Sequence, residues 1–301
     1  MRECDIMRPC WKHLLCSAVL FSAVSSQEQT AVQQPQSPTD NKSLQVFLTA
    51  SGRHDSPATP AQSELSVSVD KQPAQINTLR SAKTDALLFA LLVDTSRSDA
   101  GSANLIRKAA LQLFESLSAG GNQGYLVLFN SSVVISRQPL LPAQAKTVLD
   151  AAAFGGGTAV YDAVAQTCIQ KLSRSGNPDT PRRAILLISD GEDNQSHVTH
   201  TNAEETAERE GVAVFSLVTW SDLSGSEGEH FLKEVSHDTG GQAIRVKNLT
   251  DGVAPLLATV EDQWALSFVP AQSLDRKLHS LDVKTGQKDV RIFAPAHFLV
   301  Q

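Results

Sequence analysis

ALLFALLVDTSRSDAG, residues 86–101, decides the fold. Eight apolar residues run without a break into Asp94, and hydroxyls and charges alternate after it. An unbroken apolar run of that length predicts a strand covered on both faces, as in a parallel sheet flanked by helices. Working outward, Leu105, Ala109, Leu113 and Leu117 recur at helical spacing and predict a helix over 102–118. Further strands are expected at 124–129, 133–135, 184–189, 212–219 and 242–246. Helices are expected at 142–152, 158–172, 202–210, 229–237 and 251–263. Strands alternating with helices of this length imply an α/β fold, a doubly wound, Rossmann-like domain with a mostly parallel central sheet.

The flanks have a different period. Leu44, Val46 and Leu48 alternate with their neighbours, as do Leu65, Val67 and Val69, and these two runs are expected to form an antiparallel hairpin. After residue 263, alternation returns at Trp264, Leu266 and Phe268, at Leu281 and Val283, and at Val290 and Ile292. Three antiparallel strands do not readily extend a finished parallel sheet. They are expected to join the N-terminal strands in one small β module built from both ends of the chain.

Arg2, Arg8 and Lys12 precede an apolar stretch, residues 14–24, that ends in small residues. This predicts a secretory signal over 1–26, cleaved near Ser25 or Ser26, with Met7 as an alternative start. Eleven apolar residues fall well short of the roughly 20 that span a bilayer, so no stable membrane span is expected after cleavage. The protein is expected to be exported, to the periplasm, cell surface or exterior. Cleavage would remove Cys4, Cys10 and Cys16 and leave Cys168 alone, without an internal disulfide. Residues 27–42 read as a polar, Gln/Pro-rich linker. The resulting map is signal 1–26, linker 27–42, β strands 43–83, α/β domain 84–263 and β strands 264–301. A net charge of −6 among 301 residues, with no basic run, argues against nucleic acid as a partner.

Ligand sites of open α/β sheets lie beyond the carboxyl ends of strands, where strand order reverses. In a sheet ordered 3-2-1-4-5-6 the strands ending at Asp94 and Asp190 are neighbours at that reversal. Ser96 and Ser98 follow Asp94, and Thr158 follows three glycines at 155–157. Two carboxylates and three hydroxyls, without His or Cys, make a hard-oxygen set suited to Mg²⁺, Mn²⁺ or Ca²⁺ and unsuited to zinc. A second D-x-S-x-S at 222–226 reads as a Ser/Gly-rich connector, because it lies one strand from the reversal. GGGT lacks the lysine of a phosphate-binding loop. His197, His200, His230 and His237 show no matched ligand spacing.

LLVDTSRS at 91–98, GGGTAVYDAV at 155–164 and LLISDGED at 186–193 together resemble the metal-ion-dependent adhesion site of a von Willebrand factor A domain. The resemblance spans about residues 85–263. The flanks, ELSVSVDKQPAQINTLR at 64–80 and WALSFVP, KLHSLDVK and IFAPAHFLV after 263, resemble the VWFA-related proteins of Acidobacteria. The resemblance implies that Ser96 and Ser98 ligate the cation directly and that Asp94, Thr158 and Asp190 do so directly or through water. It implies an open position for an Asp or Glu of a protein partner, and a binding module rather than an enzyme. Two positions depart from the pattern. Arg97 stands where Gly is common and Asp99 where Met is common, and the two are expected to modulate the site: Arg97 either competes with the cation or meets an acidic partner with a bidentate contact, and pairing with Arg97 is one reading of Asp99. The rival readings are a metal-free scaffold and a metal-assisted hydrolase. The hydrolase lacks a nucleophile–base pair in the three motifs.

Overall fold

A computed structural model of the chain describes residues 43–53, 56–176, 182–219 and 225–300. The expected signal and linker, with Cys4, Cys10 and Cys16, lie outside the described residues, as does most of the second D-x-S-x-S stretch.

The apolar run becomes β4, Leu87–Asp94, whose eight residues are all buried. It lies at the centre of a six-stranded sheet with β5 (Gln123–Phe129), β6 (Val133–Ile135), β7 (Arg182–Ser189), β8 (Ala213–Val218) and β9 (Ala243–Arg245). The order is β6-β5-β4-β7-β8-β9, the expected 3-2-1-4-5-6, with β6 antiparallel and the rest parallel. Strand alternation sends Leu87, Phe89, Leu91 and Val93 into one apolar layer and Leu88, Ala90 and Leu92 into the other. The first layer is closed by α1 (Ala103–Ala119), α2 (Pro142–Ala151) and α6 (Val253–Glu261). The second is closed by α3 (Val160–Gln170), α4 (His200–Glu210) and α5 (Glu227–Asp238). Cys168 is fully buried in α3, filling core. No helix among the described residues is long and apolar enough to cross a membrane.

The chain ends build a separate seven-stranded antiparallel sheet, as expected, but with different pairings. Its strands are β1 (Leu44–Ser51), β2 (Leu65–Val69), β3 (Gln72–Ser81), β10 (Trp264–Val269), β11 (Leu278–Thr285), β12 (Arg291–Phe293) and β13 (His297–Leu299). The order is β12-β1-β10-β3-β2-β11-β13. β1 and β2 are therefore not a hairpin: β1 lies between β10 and β12, and β2 between β3 and β11. The hairpin partner of β2 is β3, which the period-two reading missed. Asp70 and Lys71, both at positive φ, form the tight turn between them. β3 escaped notice because it is mostly exposed and its apolar residues slip in phase from Ile76 to Leu79, opposite a bulge at Ser267/Phe268. β13 also went unpredicted.

The whole α/β domain is inserted between β3 and β10, which are sheet neighbours: Ser81 pairs with Trp264. Arg182, at the start of β7, closes this junction. Its buried guanidinium donates to the carbonyls of Ala82 (2.9 Å), Asp85 (3.3 Å) and Val260 and to Gln263 Oε1 (3.1 Å). The two linking segments also bond to each other, Ala82 N donating to Gln263 O at 2.8 Å.

Candidate metal centre

The site lies at the carboxyl ends of β4 and β7. Asp94 ends β4, is fully buried, and accepts from Ser96 N–H on Oδ1 (2.8 Å) and from the Ser189 hydroxyl on Oδ2 (2.6 Å). The Ser189 hydroxyl in turn accepts from Gly191 N–H at 2.9 Å. Ser96 Oγ and Ser98 Oγ stand 3.0 Å apart. The Ser98 hydroxyl is near enough to Asp190 to lower its carboxyl, and Asp190 Oδ1 accepts from Glu192 N–H at 3.1 Å. Hydrogen bonds thus join Asp94, Ser96 and Ser98, with Asp190 beside Ser98.

Thr158 is brought in by backbone lacing. Gly155 N–H donates to Thr95 O (2.7 Å) and Arg97 N–H to Gly156 O (3.3 Å), fastening the glycine loop to the segment after β4. Thr158 N–H donates to Asn194 Oδ1, and Thr158 O accepts from Asn194 and Gln195 N–H, each at 3.0 Å. Because these bonds hold its backbone to the 190–195 loop, Thr158 does not begin a helix as expected; α3 starts at Val160.

Burial dominates the electrostatics. Desolvation raises the Asp94 carboxyl from 3.8 to about 6, against the pull of the Ser189 and Ser96 hydrogen bonds. It raises Asp190 as well, against the Glu192 N–H and Ser98. Desolvation also raises Asp99, to about 8, with the charges of Asp94 and Asp190 adding to it. Asp99 does not pair with Arg97, contrary to expectation. The 3-10 turn Ser98–Ser102 turns Asp99 inward, to 4% exposure, while the Arg97 side chain is exposed.

Raised carboxyl values give stability that is full below the unfolded value of 3.8 and is lost as pH rises through the folded values. In EDTA the chain is therefore expected to melt higher at pH 5 than at pH 8. A flat or rising profile across that window in calorimetry would contradict the buried, uncompensated acids.

The loop after Asp190 needs glycine. Gly191 is at φ +82°, and a Cβ there would lie 2.2 Å from Gly228 O at the start of α5. Gly191→Ala is expected to destabilise the chain by about 2 kcal/mol, from strain and from pushing α5 off the loop. Urea denaturation measures it, and a loss below about 0.5 kcal/mol would show that the close approach gives way freely.

Residues that the motifs did not single out also shape the site. Ser189, Asn194 and Thr95 position it; their only sequence signal is adjacency to motif residues. Asp162 accepts from His197 N–H, Val198 N–H and His197 Nδ1 (2.9 Å), so one imidazole is held at the rim with its side chain 91% exposed. Ser226, the described end of the second D-x-S-x-S, caps α5 by accepting from Glu229 N–H.

The donor set fits a hard divalent cation. Hydroxyls from Ser96 and Ser98 lie beside buried carboxylates that no Lys or Arg among the described residues compensates. Among the described residues no group of three His, Cys, Asp or Glu side chains is placed to hold an ion. An ion here would therefore depend on hydroxyl ligands, which disfavours zinc.

The profile of the von Willebrand factor type A domain matches residues 89–260. The chain belongs to this family. No curated protein matches the chain. Among solved structures, the VWA domain is similar to an aerotolerance-related membrane protein from Bacteroides fragilis, at 17% identity and TM-score 0.46, covering 58% of this chain and 98% of that one. A von Willebrand factor type A protein from Catenulispora acidiphila is similar over 85% of this chain and 73% of its own, at 10% identity and TM-score 0.47. Proximal thread matrix protein 1 of the mussel byssus is similar over 59% of this chain and 48% of its own, at 18% identity and TM-score 0.47. VWA domains commonly mediate protein–protein interaction.

Proposed function

We propose that the protein is an exported binding module in which Asp94, Ser96, Ser98, Thr158 and Asp190 hold a divalent cation, Mg²⁺ before Mn²⁺ or Ca²⁺. When bound, the cation supplies a Lewis-acidic position for an Asp or Glu carboxylate of a protein partner. The observation that carries this reading is the cluster of buried Asp94, Ser96 and Asp190 with Ser98 at its exposed edge, two acids and two hydroxyls that no basic side chain among the described residues neutralises. Neutral hydroxyls fill ligand positions without adding charge, which leaves a bound cation attractive to an outside acid. Export rests on the sequence of residues 1–26.

A displayed random-peptide library, selected on the full chain in MgCl₂ and eluted with EDTA, tests the partner chemistry. Enrichment of peptides that need an Asp or Glu is the expected result. Enrichment without an acid, or retention in EDTA, would overturn it.

The His197–Asp162 pair favours the hydrolase reading by one observation, since it places an oriented imidazole on the motif loops. Asp162 spends its other oxygen on two loop N–H groups, however, which makes it first a loop anchor. Metal-dependent turnover of phosphate or carboxylic esters, lost in His197→Ala, would establish the hydrolase.

A further inference from the structure

Asp99 is left over by the five-residue set. It follows Ser98 directly, is 4% exposed, and its Oδ2 is buried without a hydrogen-bond partner. Thr219, just past β8 and anchored by its N–H to Ser189 O at 3.0 Å, is equally buried. Its hydroxyl is near enough to temper the Asp99 carboxyl but is not aligned to hydrogen-bond, and is itself unpartnered. Two unsatisfied polar side chains thus meet behind the crevice, one after Ser98 and one at the end of the strand beyond Asp190. The charges that act on Asp99 there are the carboxylates of Asp94 and Asp190.

A buried carboxylate with an unbonded oxygen is costly unless a cation compensates it or a proton neutralises it. No guanidinium or ammonium does so here: Arg97 faces outward, and the charges acting on Asp99 are both negative. Asp94, Asp99 and Asp190 are not close enough together to share one ion as direct ligands. Asp99 must therefore act from outside the ligand ring, as second-layer carboxylates commonly do in metal sites.

We propose that Asp99, with Thr219, forms an outer ring behind the cation position that tightens divalent-cation binding, while Arg97 returns a positive charge to the rim. The inference rests on the reading that the crevice holds a cation. With Asp99 ionised beside a bound cation, three carboxylates would face one divalent cation and one guanidinium, a sum of zero. With Gly and Met, the residues common at these positions, two carboxylates would face the cation alone and the sum would be the same. The exchange of both residues keeps the balance but moves positive charge outward, where an acidic partner meets it.

The test is isothermal titration of the full chain with MgCl₂ and with CaCl₂, comparing the parent with Asp99→Asn, Asp99→Met and Thr219→Val. Both Asp99 variants are expected to bind the cations about 10- to 100-fold more weakly and to melt higher than the parent in EDTA. Affinity unchanged in both variants would overturn the role of Asp99. Affinity unchanged in Thr219→Val would remove Thr219 from the ring. A parent chain that binds neither cation would instead overturn the metal reading itself, and the proposal with it.

Discussion

Replacing Arg182 with alanine is expected to destabilise the chain by about 4 kcal/mol and to lower its Tm by roughly 10 °C. Arg182 is 3% exposed and its guanidinium meets three carbonyls and one amide oxygen. Those acceptors come from the segment leading into β4, from α6 and from the segment leading into β10. Alanine would take a donor from each, leaving Ala82 O with Asp85 N–H, and each charge-assisted bond is worth about 1.5–3 kcal/mol. Lysine would keep the charge but not the planar fork that reaches four acceptors, so Arg182→Lys should recover less than half of the loss. Because the damage falls at the junction, limited proteolysis of Arg182→Ala should cut first at residues 82–86. An alanine variant within 1 kcal/mol of the parent in urea denaturation would show that the junction holds without this residue.

Asp94→Asn is expected to invert the response to divalent cations. In EDTA at pH 8 the variant should melt above the parent, because it loses a buried charge that only hydroxyl and amide dipoles offset. Asparagine keeps a carbonyl oxygen for Ser96 N–H, and its amide can donate to Ser189 Oγ, so a bond to Ser189 survives with its direction reversed. With Mg²⁺ at about 100 times Kd the parent should gain roughly 2.7 kcal/mol, and the variant should gain none. The two melting curves therefore cross between EDTA and saturating Mg²⁺. Parallel curves under both conditions would mean that the crevice holds no cation. Asp94→Ala should lose the response as well but melt lower in EDTA than Asp94→Asn, because Ser189 is then left with an unsatisfied hydroxyl.

The α/β domain was legible because its signals are local. Continuous apolar runs at β4, β7 and β8 permit few other structures, and an Asp at the end of each of two such runs marks the reversal of strand order. The β module was legible in composition but not in pairing. Leu44–Phe268 and Val69–Leu281 are partners far apart in the chain. Alternation in each strand shows which face is buried without saying which strand lies beside it. β3 had the weakest pattern because little of it is buried. Around the candidate metal centre, residue type located Asp94, Ser96, Ser98, Thr158 and Asp190 near one another. The orientation of Asp99 was not readable, since a 3-10 turn and a loop send the same residue in opposite directions. Ser98–Ser102 turns it inward, away from the Arg97 that the sequence offered as its partner.

The insertion of the α/β domain between two adjacent strands has a mechanical consequence. Traction applied between β1 and β13 crosses the β sheet strand by strand, and the inserted domain is braced against that sheet where Glu208 meets His297 and Ala296 N–H donates to Asp238 O. Traction applied to the metal crevice passes instead into β3 and β10 together, pulling both strands from the same end of their shared ladder. The load is divided between two segments that Arg182 and the Ala82–Gln263 bond already hold side by side. A load on the crevice would thus be shared by two covalent tethers and by the contact of α4 with β13.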